Sequence, residues 1–143
     1  MKTIFICLLS TLLAAAQAEL PAIDPALKEV LDVCSKDINI SVKELNQYAP
    51  KSFDPTTLPQ SIKCFLKCIP EKFGFYDNDT LDEALATKHL EDRIRKTKQP
   101  DMESIRRAVQ QCSQIRDDGG VCDKGGRISV CIGKIEIDAV NSA

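Results

Sequence analysis

Six cysteines and one histidine are the residues in this chain best equipped for chemistry. Cys34, Cys64, Cys68, Cys112, Cys122 and Cys131 span its length, Cys7 lies near its start, and His89 is its only imidazole. Such a set could ligate a metal, supply a thiolate nucleophile or form disulfides. Metal ligation is disfavoured, because no C-x-x-C pair occurs and a zinc site would have one histidine at most. Cys64 and Cys68 are four apart, so on a helix they share one face. Bonded to each other they would close a single turn; bonded to distant partners they would fix one helix against two other segments.

Which chemistry applies depends on the compartment. The chain opens "MKTIFICLLSTLLAAAQA". A lysine, an apolar run and an Ala-Gln-Ala end make a secretory leader, with cleavage expected after Ala18. The run is short of the roughly 20 residues that span a bilayer. Residues 1–18 are therefore expected to leave, taking Cys7, and residues 19–143 to form one domain in the extracellular space. Six cysteines in a small secreted chain predict three disulfides, among 15 connectivities that spacing cannot resolve. Lys2 is the only charged residue of the leader, so the remaining chain has a net charge of about −3. That mild acidity argues against nucleic acid or an anionic membrane as partner. No second long apolar run exists, and the protein is not expected to be membrane-embedded.

Catalysis has little support. His89 lies in "ATKHLED", where a partly exposed helical histidine is expected, and G-x-S-x-G is absent. No catalytic residue, metal or cofactor is expected. "YDNDTLDEA" has acidic residues at Asp77 and Asp79, but Leu81 occupies the next ligand position and the required glycine is missing. It reads as a turn and helix cap rather than a calcium loop. "GGVCDKGG" lacks the G-K-[ST] ending of a phosphate loop. Asn39-Ile-Ser and Asn78-Asp-Thr match the N-glycosylation sequon.

Local signals divide the chain into helices that would position the cysteines. Asp24-Pro25 caps a first helix carrying Leu27, Val30, Leu31, Cys34 and Ile38. Ser41 and Glu44 form a capping box for a short second helix with Val42, Leu45 and Tyr48, ending near Pro50. After the connector "SFDPTTLP" a third helix runs from about Pro59 to Phe73, with Ile62, Phe65, Leu66 and Ile69 on its apolar face and Gly74 as C-terminal cap. Pro70 lies within it, where a bend or early end is expected. Thr80 with Glu83 reads as the capping box of a fourth helix bearing Leu81, Ala84, Leu85, Leu90 and Ile94. The basic run "RIRKTK" at its end complements the helix dipole. Pro100-Asp101 opens a fifth with Met102, Ile105, Val109 and Cys112 on one stripe. "DDGGVCDKGG" reads as a glycine-rich loop. "RISVCIGKIEIDAV" fits a strand or a helix equally.

The spacing C-x29-C-x3-C-x43-C-x9-C-x8-C and the block "CFLKCIPEKFGFYDNDT" resemble the insect odorant-binding proteins, the six-cysteine family of pheromone-binding and general odorant-binding proteins. The gap from Cys68 to Cys112 is slightly long for that family, and Gly125-Gly126 is a poor start for its sixth helix. The resemblance implies an all-α fold, six disulfide-bridged helices around an apolar cavity. It implies the pairs Cys34–Cys68, Cys64–Cys122 and Cys112–Cys131. It further implies cavity walls from the first, third, fourth, fifth and sixth helices. The apolar stripes then nominate Leu31, Phe65, Ile69, Phe73, Leu85, Ile105, Val109 and Ile132 as ligand contacts, with Tyr48 and Tyr76 as hydroxyl donors.

The expected function is a secreted carrier of small hydrophobic molecules, odorants or pheromones, passing them toward a membrane chemoreceptor as a monomer or weak homodimer. The same fold could serve outside smell, in taste or reproductive fluid. A cavity-less helical interaction or inhibitor protein is the alternative from another class; a hydrolase is disfavoured by the lone histidine. The final "IGKIEIDAVNSA" either extends the last helix and packs outside the shell, or folds back as a lid held by ionised Glu136 and Asp138.

Overall fold

The computed structural model describes residues 24–41, 43–44, 57–117 and 119–142. The expected leader with Cys7, the residues Val42, Leu45, Tyr48 and Pro50 of the expected second helix, and connector residues 52–56 lie outside the described residues. Five helices and a two-stranded hairpin are described, in the order α1 (Pro25–Ile38), α2 (Gln60–Phe73), β1 (Tyr76–Asp77), β2 (Thr80–Leu81), α3 (Glu83–Arg95), α4 (Met102–Ser113) and α5 (Asp123–Asn141). The fold is all-α and disulfide-bridged.

Most helix boundaries follow from local chemistry. Asp24 Oδ1 accepts the Ala26 amide at 2.9 Å, and Pro25 occupies the first turn of α1, where its missing donor is harmless. Ser41 and Glu44 form the expected reciprocal box, with the Ser41 amide 2.8 Å from Glu44 Oε2 and the Glu44 amide 3.2 Å from Ser41 Oγ. Asp101 caps α4 through the Ser104 amide. α2 continues through Pro70 without ending early. Gly74, at φ 89°, then closes it in a Schellman arrangement. The Gly74 amide donates to Glu71 and the Phe75 amide to Pro70, at 3.1 and 3.2 Å.

Two expectations are corrected. Thr80 and Glu83 do not form a capping box. Thr80 pairs with Asp77, and Tyr76 with Leu81, in an antiparallel ladder. Asn78 and Asp79 both take positive φ between the strands, the backbone of a tight primed turn. The cap of α3 is Asp82, which accepts the Leu85 amide at 3.0 Å. Leu81 therefore belongs to the hairpin and not to the helix.

The second correction concerns the glycine-rich segment. α5 begins at Asp123, so Gly125 and Gly126 lie in its first turn and "RISVCIGKIEIDAV" is helical. Packing explains why glycines start this helix. A Cβ on Gly125 would lie 2.4 Å from Cγ and 2.9 Å from Cβ of Lys67; one on Gly126 would lie 3.1 Å from the Lys63 carbonyl oxygen. The pair lets the backbone of α5 press against α2. The C-terminal segment stays in this helix to Asn141, with Ile135 and Ala139 packed on the core and Ile137 exposed. It does not fold back.

α5 packs against α2, α4 and α3, while α1 rests on α2 and α3 on α4. Cys34–Cys68 joins α1 to α2, Cys64–Cys122 joins α2 to the residue preceding α5, and Cys112–Cys131 joins α4 to α5. This is the first-to-third, second-to-fifth and fourth-to-sixth order that the resemblance implies. Each bridge closes 19 to 58 residues of chain, which in the loop-entropy model contributes about 3–4 kcal/mol.

The glycines give a paired test by urea denaturation. Gly125→Ala should lower stability by about 1–2 kcal/mol, because the crowding at the Lys67 stem outweighs the gain in helix propensity. Gly133→Ala, where an added Cβ meets nothing within 4 Å, should raise it by about 0.5–1 kcal/mol.

Candidate functional site

The buried apolar residues form two clusters. One gathers Cys34, Ile40, Leu58, Ile62, Phe65 and Cys68, where α1 meets α2. The other runs from Phe75, Tyr76 and Leu81 through Leu90 and Ile94 on α3 and Ile105 and Val109 on α4 to Ile128 and Ile132 on α5. Partly exposed apolar side chains fringe both: Leu31, Leu66 and Ile69 on the first, Phe73 and Ile135 on the second.

The helices that carry this fringe are closed into a ring by charge. α1 lies on α2, α2 on α5 and α5 on α3; ion pairs complete the circuit from α3 to α1. Asp24, at the start of α1, pairs with Lys96 and lies 3.7 Å from Arg93 Nη1. Arg93 Nε donates to Glu136 of α5 at 2.7 Å. The Arg93 side chain is only 18% exposed, so its pairs are worth more than the few tenths of a kcal/mol of a fully solvated pair. Lys96 and the Ala26 amide hold the Asp24 carboxyl below its ordinary range. The basic run at the end of α3 thus binds across the ring as well as complementing its own helix. Sequence reasoning missed this, because the partners are 43 and 72 residues apart.

The eight nominated ligand contacts are divided by the fold. Leu31, Phe65 and Ile69 belong to the first cluster; Phe73, Ile105, Val109 and Ile132 belong to the second. Val109 is fully buried and Ile105 and Ile132 nearly so. Leu85 is 52% exposed and packs on neither cluster. Tyr76 is buried, and its hydroxyl donates to Asp79 at 3.2 Å. Burial, then the Asp79 charge, raises the Tyr76 pKa. That hydroxyl is committed and is not a free donor for a ligand. Tyr48 lies outside the described residues. Asn39 is the exposed left-handed cap of α1, and Asn78 is exposed at the hairpin turn.

Two surface clefts carry charged side chains on their walls and take in none of the eight. One, of about 610 Å³, borders the Cys64–Cys122 bridge with Asp37, Lys67, Glu71 and Lys72 on its walls. The other, of about 790 Å³, runs between α3 and α4 among Lys88, Glu91, Glu103 and Arg106. No helix among the described residues is long and apolar enough to cross a membrane.

His89 is placed in a way its sequence context does not reveal. Its ring centroid is 4.4 Å from that of Phe73 and 4.9 Å from that of Phe75, both tilted contacts. The tight hairpin folds the end of α2 against α3 and creates this group. Burial, reinforced by the Arg93 charge, lowers the His89 pKa to about 4. Asp92 and Asp24 oppose that shift, and Lys96 adds to it. The folded protein therefore keeps His89 neutral while the unfolded chain protonates near pH 6.5. Stability present above pH 6.5 is lost as pH falls from there toward 4, since only the unfolded state takes up the proton in that window. Asp24 and Asp101, both held low, lose their contribution only below their unfolded value of 3.8. Urea midpoints measured between pH 7 and 4 should fall with acidity, and His89→Phe should flatten that fall.

Comparison with known proteins agrees with this architecture. A solved fatty acid binding protein from the oral disk of the blowfly Phormia regina superposes with a TM-score of 0.59 at 24% identity, over 78% of this chain and 90% of that one. Comparison with curated protein sequences gives no match. The model of the PBP/GOBP family matches residues 16–134. With that match over most of its length, three disulfides and a helical shell, the chain belongs to the PBP/GOBP family, the insect odorant-binding proteins.

Proposed function

We propose that the protein is a secreted, non-enzymatic carrier that binds one small hydrophobic molecule in the space bounded by α1, α2, α3 and α5. The single observation that carries this reading is the division of the core. Each of the two apolar clusters is fringed by side chains that are apolar yet partly exposed, Leu31, Leu66, Ile69, Phe73 and Ile135, and in this reading those side chains line the space. A protein that needed only a packed interior would gain by bringing those surfaces together. Membership in a family that binds small hydrophobic ligands supports the same reading. Leu85 would stand at the open edge of the space; Ile105, Val109 and Ile132 would back its wall.

Binding would be driven by apolar area leaving water, at roughly 25 cal/mol per Å² before the losses of association. In this reading residues 1–18 are the leader that directs export, and residues 19–143 fold outside the cell as a monomer or weak homodimer. Asn39 and Asn78 are exposed acceptors for glycan on that route. The cargo would be odorants or pheromones carried through aqueous fluid to a chemoreceptor, or hydrophobic molecules of taste or reproductive fluid in the same role.

The test uses oxidised protein and the fluorescent probe N-phenyl-1-naphthylamine. Micromolar binding should be observed, with displacement by medium-chain alcohols, esters or terpenoids. Ile69→Trp, which would fill the space, should weaken the probe by about tenfold or more, whereas Lys72→Ala, on the charged outer cleft, should leave it unchanged. Absence of binding by every hydrophobic probe would defeat the carrier reading and favour a packed interaction protein.

A further inference from the structure

On α3, Leu85, His89 and Arg93 succeed one another at intervals of one turn. Arg93 bonds to Glu136 of α5 and lies beside Asp24 of α1, which sets its end of the stripe where α3 meets both helices, and in the carrier reading the stripe borders the space they bound. His89, one turn from Arg93, is partly exposed on the same side. Phe73 and Phe75 pack against its ring and limit the orientations it can take. No hydrogen bond to either of its nitrogens occurs among the described residues. Phe73 and Phe75 form its apolar side, and the charges of Arg93, Asp92, Asp24 and Lys96 lie on its other side.

The cations near this point are already matched. Arg93 is held by Asp24 and Glu136, and Lys96 by Asp24. A carboxylate entering the site would lose its hydration and meet no uncommitted positive partner, which is a steep penalty. A hydroxyl or carbonyl oxygen needs only one hydrogen bond. Neutral imidazole can give one from its protonated nitrogen or accept one at the other. Burial keeps the ring in that neutral form.

We propose that His89 is the polar anchor of the ligand site, selecting uncharged molecules with one hydroxyl or carbonyl group over carboxylates and over plain hydrocarbons of equal length. The proposal rests on the carrier reading and deepens it. Alcohols and aldehydes would lie with their chains along Leu31, Ile69 and Ile135 and their oxygen at the imidazole. The two phenylalanine rings would keep water from competing for it.

The experiment measures displacement of N-phenyl-1-naphthylamine at neutral pH by four molecules of equal chain length: an alkane, a primary alcohol, an aldehyde and a carboxylic acid. The native protein should bind alcohol and aldehyde about 5–10-fold more tightly than alkane or acid, the margin of one net hydrogen bond. His89→Phe should abolish the alcohol-to-alkane ratio, and His89→Gln should retain most of it; His89→Leu repeats the first measurement with a smaller side chain. A native preference for the acid, or a ratio that survives both His89→Phe and His89→Leu, would overturn the proposal while leaving the carrier reading intact. Failure of the native protein to bind the probe or any of the four molecules would overturn both.

Discussion

The close approach of α5 to α2 is the constraint on which the other contacts depend. Three different interactions act there within a few residues. The Cys64–Cys122 bridge fixes the entry to α5, Gly125 and Gly126 remove the side chains that would hold the helices apart, and Asp123 accepts Lys63 Nζ at 3.0 Å. Arg127, one turn on, approaches the same carboxylate at 3.2 Å. Asp123 is nearly buried, and its negative charge sits at the positive end of α5. A buried carboxylate without partners would be strongly destabilising. Here two cations and the helix terminus share it, so the electrostatics and the sterics specify one register of α5 on α2.

From that junction α5 goes on to contact both α4 and α3. Its middle places Cys131 against Cys112 of α4 and Ile128 and Ile132 in the larger cluster. Its later turns bring Glu136 to Arg93. The ring is thus joined covalently on the α1–α2–α5 side and by ion pairs where α3 meets α1. Salt and pH act on the second kind of closure and hardly on the first. If the ring opens to admit a molecule, the α3–α1 contact is the side that physical chemistry leaves able to move.

Elements set by adjacent residues were legible in the sequence. Asp24-Pro25, Ser41 with Glu44, Asp101 and the Gly74 stop are local interactions, and each appears where its spacing places it. Competition between local patterns misled the reading at Thr80. Thr-x-x-Glu suits a cap, but Asn78 and Asp79 suit a tight turn, and Asp82 offers a cap two residues later. The glycines of α5 show the converse. Their propensity speaks for a loop, whereas their position answers to α2, some sixty residues away. The disulfide order came from the resemblance and not from spacing. Neither the Asp24–Arg93–Glu136 chain nor the tilted packing of His89 against two phenylalanines has any local signature, because both join residues brought together only by the finished ring.

A ligand space of the kind proposed would also account for the investment in cross-links. Leaving a ligand-sized space of about 300 Å³ unfilled would destabilise a fold by roughly 7 kcal/mol at the penalty measured for engineered cavities. That approaches the whole stability of an ordinary domain of this size. The described core is split, and its aromatic content is low, at 5% of the chain. Three disulfides contribute roughly 10 kcal/mol in the loop-entropy model, which offsets the void with a few kcal/mol remaining. They do so by restricting the unfolded chain, so they need no side chain in the interior. Cys34–Cys68 and Cys64–Cys122 both act through α2, from Cys residues one turn apart, and this is the physical sense of the paired cysteines in "KCFLKCI". One helix, anchored on two sides, can hold an apolar surface away from its neighbours. A bound molecule then adds stability by mass action where the protein's own packing leaves room.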